Sequence, residues 1–347
     1  MNADDLLYMR RCLLLAEKGR GKVEPNPVVG SVVVVRGQLA GEGWHRAFGG
    51  PHAEVHALDE AAMKGPLEGA TLYVNLEPCN HFGKTPPCTE RIIASGISRV
   101  VVGMTDPNPL VSGKGIARLK EAGIEVVSGV GEAEAREINR AFSTCHTLHR
   151  PFIVLKWAQT LNGYMGRNHL GEDGRISGPA AQRLVHRWRS ELMAIAVGRR
   201  TVETDNPHLT TRLVTGRNPL RIILGEPANA SMPYHIEDGS VPTLVISNLG
   251  HTAMRNADHT RAEGTDLAHA LVAACVARGI QSVLVEGGSR TLSRFLSAGL
   301  WDEARVISSS DSWPVGVVAP KMPMKETSAE RVGEDVLRIY HPAGAAH

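Results

Sequence analysis

The chain carries no excess charge of either sign. Its 38 Lys and Arg stand against 36 Asp and Glu, a formal charge of +2, whereas a dedicated nucleic-acid binder shows a basic excess. Large polyanionic partners are therefore disfavoured. Long apolar runs are missing too. None approaches the roughly 18 residues that span a bilayer. The N-terminal stretch, with Asp4 and Asp5 and only a short apolar segment, has the form of neither a signal peptide nor a membrane span. Cysteine is sparse: Cys12, Cys79, Cys88, Cys145 and Cys275 form an odd, scattered set that does not read as a disulfide framework. We therefore expect a cytoplasmic protein with reduced thiols and with neither a membrane nor a nucleic acid as partner. An internal repeat, a low-complexity tract and a G-x-G-x-x-G turn after an early strand are also lacking. These absences leave repeat folds and a Rossmann nucleotide domain without support.

What is present is an ordinary globular composition. Apolar residues make up 42%, with 36 Gly and 20 Pro for turns, and 347 residues suggest two domains. Helical apolar spacing runs over 6–18, and the β-branched run from Ser31 to Val35 is too apolar for a half-exposed strand, so it should lie inside a sheet. Pro51 should open a helix reaching about Lys64. Strands over 72–76, 99–104 and 125–128 alternate with helices over 89–95 and 114–122, and a helix over 132–145 leads into a polar stretch, 146–151. There we place a boundary, giving domains 1–147 and 148–347. Beyond it the alternation restarts, with strands over 153–158, 194–197, 220–224, 243–247 and 282–286 and helices over 179–190 and 266–278. Two α/β domains are the expected architecture.

The strongest chemical signal is Pro51-His52-Ala53-Glu54, followed by Pro78-Cys79 and then Cys88. His52 in the first turn of a helix can offer a ring nitrogen to a metal, and two thiolates near helix N-termini can join it. Three protein ligands leave a fourth position for water, as catalytic zinc requires. Glu54 is then close enough to move protons without being a ligand. The competing reading is a structural zinc with His56 or His81 as fourth ligand, but such a site has no need of Glu54. In the C-terminal half, Leu284-Val285-Glu286-Gly287-Gly288-Ser289 carries a strand into a helix across two glycines, a turn that can face a phosphate. The cluster Gly198-Arg199-Arg200-Thr201 leaves a strand end, where its arginines could hold a further phosphate.

The zinc signature resembles the cytidine deaminase superfamily, with eight residues between the cysteines in place of the usual two. Leu76-Glu77-Pro78-Cys79-Asn80-His81-Phe82-Gly83-Lys84-Thr85-Pro86-Pro87-Cys88, Pro25-Asn26-Pro27-Val28-Val29-Gly30 and Asp106-Pro107-Asn108-Pro109 resemble the riboflavin-pathway deaminases within it. Almost end to end, the chain resembles the bifunctional deaminase–reductase family of riboflavin biosynthesis. The resemblance implies a cytidine-deaminase-like three-layer α/β/α domain followed by a dihydrofolate-reductase-like α/β domain. The implied substrate is a phosphorylated pyrimidine, 2,5-diamino-6-ribosylamino-4(3H)-pyrimidinone 5′-phosphate, which loses its ring 2-amino group as ammonia. By the same match Asn26 faces the pyrimidine, His81 and Lys84 hold ribose and phosphate, and Asp106 and Asn108 line the ribose-phosphate end.

Lys156-Trp157-Ala158-Gln159-Thr160-Leu161-Asn162-Gly163, Arg175-Ile176-Ser177-Gly178-Pro179, Trp188-Arg189-Ser190 and the segment from Thr201 to Arg212 resemble the reductase half. They imply that NADPH lies against Gln159, Arg175, Thr201, Asp205, Gly287, Gly288, Ser289 and Arg290. Asp173, Arg189, Leu209, Arg212 and Glu286 would face the substrate, the two arginines being suited to its phosphate. Lys156 and Asp205 are the candidates for positioning and protonating the ribose as hydride arrives. Gln159, Asn162 and Arg175 stand where common members carry small, acidic and Trp residues respectively, and 308–318 replaces an expected short strand. Trp157 and Trp188 are read as core packing. The family habit implies a homo-oligomer. Two other readings remain: a deaminase of nucleic-acid bases with a C-terminal binding module, and a zinc-stabilised ligand sensor.

Overall fold

The Val-rich run of the N-terminal half lies inside a sheet, with a strand on either side of it. In the computed structural model, which describes residues 3–82, 86–166, 175–227 and 234–343, one unit runs to His149 and another begins at Arg150. The first contains α1 (Ala3–Glu17), β1 (Gly30–Val35), β2 (Gln38–Trp44), α2 (Ala53–Ala62), β3 (Thr71–Leu76), α3 (Cys88–Ala94), β4 (Arg99–Met104), α4 (Lys114–Glu121), β5 (Glu125–Ser128), α5 (Glu132–Ile138) and α6 (Arg140–Leu148). Its sheet has the order β2-β1-β3-β4-β5, with β1 antiparallel to both neighbours and β3, β4 and β5 parallel. Val33, Leu72, Val74, Val100 and Val102 pack against Ala57, Leu58, Ile92 and Leu119 of α2, α3 and α4. On the opposite face Val32, Val34, Tyr73 and Val101 meet Met9, Cys12 and Leu15 of α1. The alternation of the strands thus builds the three-layer α/β/α body.

Two glycines set the position of α2. A Cβ at Gly41 would fall 2.1 Å from the Ala57 carbonyl oxygen, and one at Gly43 would fall 2.2 Å from that of Ala53. Only glycine lets α2 lie directly on β2, which brings the start of α2 to the mouth of the site. Two expectations need correction here. His52 is the N-cap of α2 with an extended backbone (φ −75°, ψ 165°), outside the helix, so its ring projects toward the cysteines instead of following the first turn. The single helix expected over 132–145 is two, broken at Asn139 (φ −107°, ψ 17°). The reason is a tertiary contact: the buried Asn139 side chain accepts from Val28 N–H at 2.9 Å and donates to Val28 C=O at 3.0 Å.

The second unit contains β6 (Phe152–Gln159), β7 (Tyr164–Gly166), α7 (Pro179–Glu191), β8 (Ala194–Gly198), α8 (Arg199–Asp205), β9 (Leu220–Leu224), β10 (Thr243–Ser247), β11 (Asp258–Arg261), α9 (Leu267–Ala277), β12 (Ser282–Val285), α10 (Ser289–Ala298), β13 (Glu303–Ser308), β14 (Val317–Val318), β15 (Ser328–Val332) and β16 (Asp335–Tyr340). Among the described residues nine strands form one sheet, β11-β10-β9-β8-β12-β6-β13-β16-β15, parallel from β11 to β13 and closed by two antiparallel strands. Leu155 lies opposite Val285, and Val285 opposite Ala196, so β6, β12 and β8 end side by side. The carboxyl ends of parallel strands are where α/β sheets place ligands. After β13, the segment over 309–316 is held by Asn162, which accepts from Trp313 N–H and donates to its carbonyl at 3.1 and 2.7 Å; β14 then pairs with β7. Trp157 and Trp188 are buried, Trp188 with the Arg305 guanidinium 4.5 Å over its ring. No helix among the described residues is long and apolar enough to cross a membrane.

Candidate active sites

In the first unit, loop geometry brings one nitrogen and two sulfurs together. His52 Nδ1 is 3.2 Å from Cys88 Sγ and 3.5 Å from Cys79 Sγ, and the three ligand atoms all lie within 4.8 Å of one another. A tetrahedral zinc with bonds of about 2.0 Å to nitrogen and 2.3 Å to sulfur separates such atoms by about 3.5 Å, so the set fits that ion. Cys88 begins α3, and its N–H donates to Cys79 Sγ at 3.3 Å, which puts both sulfurs at the start of that helix. A hydrogen bond from Cys88, then one from His52, holds the Cys79 thiol down at about 4, while the same pairing and burial push Cys88 up. The pair therefore keeps one proton that a dication would displace. Among the described residues this group numbers three: His56 faces Arg46 and Asp59, and His81 is exposed, so neither supplies the fourth ligand of a structural site. Glu54, in the first turn of α2, is 3% exposed, and burial raises its carboxyl.

The groups around this centre are fixed by two residues that the sequence reading missed. His45, buried beside β2, donates from Nδ1 to Pro51 C=O at 3.1 Å, which leaves Nε2 to accept from the Asn26 amide at 3.0 Å. The amide of Asn26 is thereby oriented with its oxygen left for another donor. Glu77, buried at the end of β3, accepts four backbone N–H groups, from Asp106, Gly113, Gly115 and Ile116, at 2.8–3.2 Å. It fixes the loop that carries Asp106 and Asn108, where the Asp106 carboxylate accepts Asn108 N–H at 2.8 Å. Burial raises the Asp106 carboxyl, partly offset by that bond and by His146 and His81. Glu77 stands directly before Pro78-Cys79. An acid between a strand end and a metal ligand, with no metal to bind itself, was the available signal. His45 gave none. Lys84 lies outside the described residues.

In the second unit the strand ends gather charge. Lys156 on β6 stands 3.7 Å from Glu286, which follows β12, and Arg189 on α7 meets Glu286 through two bonds of 2.7 and 2.8 Å. Burial lowers the Lys156 ammonium against the pull of Glu286. Burial also works to raise Glu286, but Arg189 and Lys156 outweigh it and hold the carboxyl down at about 2. Arg189 further donates to Thr210 C=O at 3.2 Å. Arg212 is exposed, donating to Thr210 Oγ1 at 3.0 Å, and Leu209 is buried with φ +53°. Asp205 ends α8, its carboxylate accepting Thr204 Oγ1 at 2.9 Å; desolvation raises it. The two expected arginines thus differ, one committed to a buried carboxylate and one open. A further residue, His186, accepts Arg212 N–H at 2.8 Å. Its spacing of three from Arg189 on one helix face was the signal for it.

The glycine turns pack together at the ends of β8 and β12. A Cβ at Gly198 would fall 2.4 Å from Thr291 Oγ1, and one at Gly287 would fall 3.0 Å from Val197 Cα. Thr201 lies beside Gly288, while Ser289 and Arg290 open α10. The close packing of these turns brings the start of α10 against the end of β8, and a helix N-terminus suits a dinucleotide phosphate. Gln159 Oε1 accepts from Trp157 Nε1 at 2.8 Å, and Arg175, Arg199 and Arg200 are exposed. Asp173 lies outside the described residues.

Comparison with known proteins covers both units. Residues 2–104 match the cytidine and deoxycytidylate deaminase zinc-binding region, and residues 151–310 match the RibD C-terminal domain. The chain is 40% identical over 354 residues to riboflavin biosynthesis protein RibD of Aquifex aeolicus, covering 97% of this chain and 98% of that one. It is 36% identical over 326 residues to the Escherichia coli protein of the same name, covering 86% of each. It is also similar to the crystal structure of a diaminohydroxyphosphoribosylaminopyrimidine deaminase/5-amino-6-(5-phosphoribosylamino)uracil reductase from Thermotoga maritima. That match has a TM-score of 0.90 and 37% identity, covering 98% of this chain and 99% of that one.

Proposed function

This chain belongs to the RibD family of riboflavin biosynthesis, and from that premise we propose how its residues divide two reactions. It is a bifunctional enzyme. One activity deaminates 2,5-diamino-6-ribosylamino-4(3H)-pyrimidinone 5′-phosphate by hydrolysis. The other reduces the resulting 5-amino-6-(5-phosphoribosylamino)uracil to the ribitylamino compound with NADPH. The observation that carries the division is the contrast between the His52, Cys79 and Cys88 donor set beside buried Glu54 in one unit and the Lys156–Glu286–Arg189 cluster in the other.

In the deaminase site His52, Cys79 and Cys88 would hold zinc, which when bound supplies the Lewis acidity that lets water attack at neutral pH. Glu54, buried beside this donor set, carries one proton from the attacking water to the ring nitrogen and the second, from the hydroxyl so formed, to the amino group, which leaves as ammonia as the carbonyl forms. Asn26, oriented by His45, accepts from the pyrimidine edge. His81, Asp106, Asn108 and Lys84 receive the ribose phosphate.

In the reductase site the Gly287–Arg290 turn, Gln159, Arg175, Thr201 and Asp205 would hold NADPH, which supplies hydride. Lys156 has its ammonium fixed by Glu286 and partly desolvated. It donates to the ribose ring oxygen as that ring opens to an imine, and Asp205 moves the second proton. Arg212, with Arg189 on the neighbouring helix, meets the substrate phosphate, Leu209 faces the same substrate, and the resemblance assigns Asp173 to it as well. A homo-oligomeric, cytoplasmic enzyme belongs to the same reading. A mass-spectrometric time course with and without NADPH tests it. Exchange of an amino group for oxygen should need no NADPH, and a gain of two hydrogens should need it. Absence of the first change in a zinc-loaded preparation refutes the deaminase assignment; absence of the second refutes the reductase assignment.

A further inference from the structure

We propose that His186 is a positioning residue of the reductase site, clasping the backbone of Thr210–Arg212 so that the Arg212 guanidinium is held out to meet the substrate phosphate. The inference rests on the reading of Arg212 as a phosphate ligand.

Three consecutive residues of this segment each have a backbone group gripped by a side chain. Thr210 C=O accepts from Arg189 at 3.2 Å, Thr211 N–H donates to Asn218 Oδ1 at 2.8 Å, and Arg212 N–H donates to His186 Nδ1 at 2.8 Å. The segment needs holding. It follows Asn206 and Leu209, two non-glycine residues at φ +39° and +53°, a conformation that persists only where surroundings enforce it. His186 and Arg189 lie one turn apart on α7, so a single helix supplies two of the three grips.

The residue type matters as much as the place. An acceptor is required beside Arg189 and Arg212, and a carboxylate there would offer Arg212 an internal anion in competition with the substrate phosphate. An imidazole accepts without bringing negative charge. Burial, with Arg189 and Arg212 next to it, keeps this one neutral down to about pH 4, so it adds no positive charge to repel Arg212 either. Nδ1 accepts from Arg212, so the ring proton sits on Nε2.

The test uses the full-length, zinc-loaded enzyme with NADPH and 5-amino-6-(5-phosphoribosylamino)uracil. Loss of the single grip in His186→Leu should raise KM for that substrate about tenfold, with kcat and the KM for NADPH little changed. His186→Asn, whose Oδ1 can take the place of Nδ1, should stay within about twofold of the parent, whereas His186→Asp, equally able to accept, should raise KM as His186→Leu does. A purely structural histidine predicts that Asn and Asp behave alike, and that result overturns the proposal even if His186→Leu fails to fold. Arg212→Ala separates the two layers of inference. If it leaves KM unchanged, the phosphate reading fails and the proposal with it. If it raises KM while all three His186 variants match the parent, only the role of His186 fails.

Discussion

The two active sites are built on opposite plans. In the first unit the reacting centre is assembled from one short stretch and two cysteines nine positions apart, and three donor atoms do most of the organising. In the second, Lys156, Arg189 and Glu286 come from two widely separated strand ends and a helix and are organised by one another's charge, with Arg212 held beside them through its backbone. A metal tolerates loose protein geometry because ligand bonds impose their own lengths and angles. A hydride donor imposes no such frame, so the protein must fix charge by burial and pairing, and the cost is a carboxylate and two cations held out of water. The difference predicts that the first site fails at single ligating or proton-moving atoms, whereas the second fails through its framework.

The sharpest way to break this contrast is Glu54→Gln. Ammonia release should fall by about 10²–10⁴-fold, with zinc content by metal analysis and reduction of supplied 5-amino-6-(5-phosphoribosylamino)uracil unaltered; loss of zinc instead would make Glu54 part of the metal framework. Lys156→Met should lower kcat for reduction by about 10²-fold and leave deamination intact, as measured by separate assays on the same preparation. Arg189→Ala removes the two short bonds to the buried Glu286 carboxylate and leaves it only Lys156 at 3.7 Å, which should destabilise the second unit by about 3 kcal/mol, read from denaturant unfolding. An effect under 1 kcal/mol would show that this ion pair does not organise the site.

Acidification should expose the same framework. His186, with Arg189, Arg212, Glu286 and Lys156 around it, is held at about 4 in the fold, against about 6.5 in an unfolded chain. Between those values the unfolded chain binds a proton that the folded one refuses. Stability therefore falls as pH falls from about 6.5 to 4, by something on the order of 2–3 kcal/mol. Below that, Glu286, held at about 2, loses its contribution as pH drops from about 4 toward 2. Unfolding temperature measured against pH should show the first decline in the parent and not in His186→Asn. Smallest is Asn139→Ala in the first unit, which leaves Val28 N–H without its side-chain partner while Val28 C=O keeps the Asn75 amide, and should cost about 1–3 kcal/mol with zinc binding retained.

The contrast also explains what could be read from residue order alone. The donor set His52, Cys79 and Cys88 was legible because metal ligands must recur at set spacings, and the main strands of both sheets were legible as β-branched runs. The break at Asn139 was not, since helical spacing continues through it and its cause is a contact with Val28, over a hundred positions away. His45 was hidden for a related reason: its task is set by Pro51 and Asn26, which only the fold brings together. Lys156 and Glu286 emerged from a resemblance, yet their pairing follows from the register of β6 and β12, which no local pattern encodes. The antiparallel strands β15 and β16 escaped notice because β15 is exposed and charged, a composition that reads as loop.

The interlocked turns at Gly198 and Thr291 carry an evolutionary consequence. A Cβ at 198 would fall 2.4 Å from the Thr291 hydroxyl, so a side chain there requires Thr291 to turn away or change, and the effect of a change at one position depends on the residue at the other. Gly198→Ala should be tolerated in a Thr291→Gly background and not alone. Drift at this end of the sheet is then eased by paired substitutions, and the two positions, far apart along the chain, should tend to vary together.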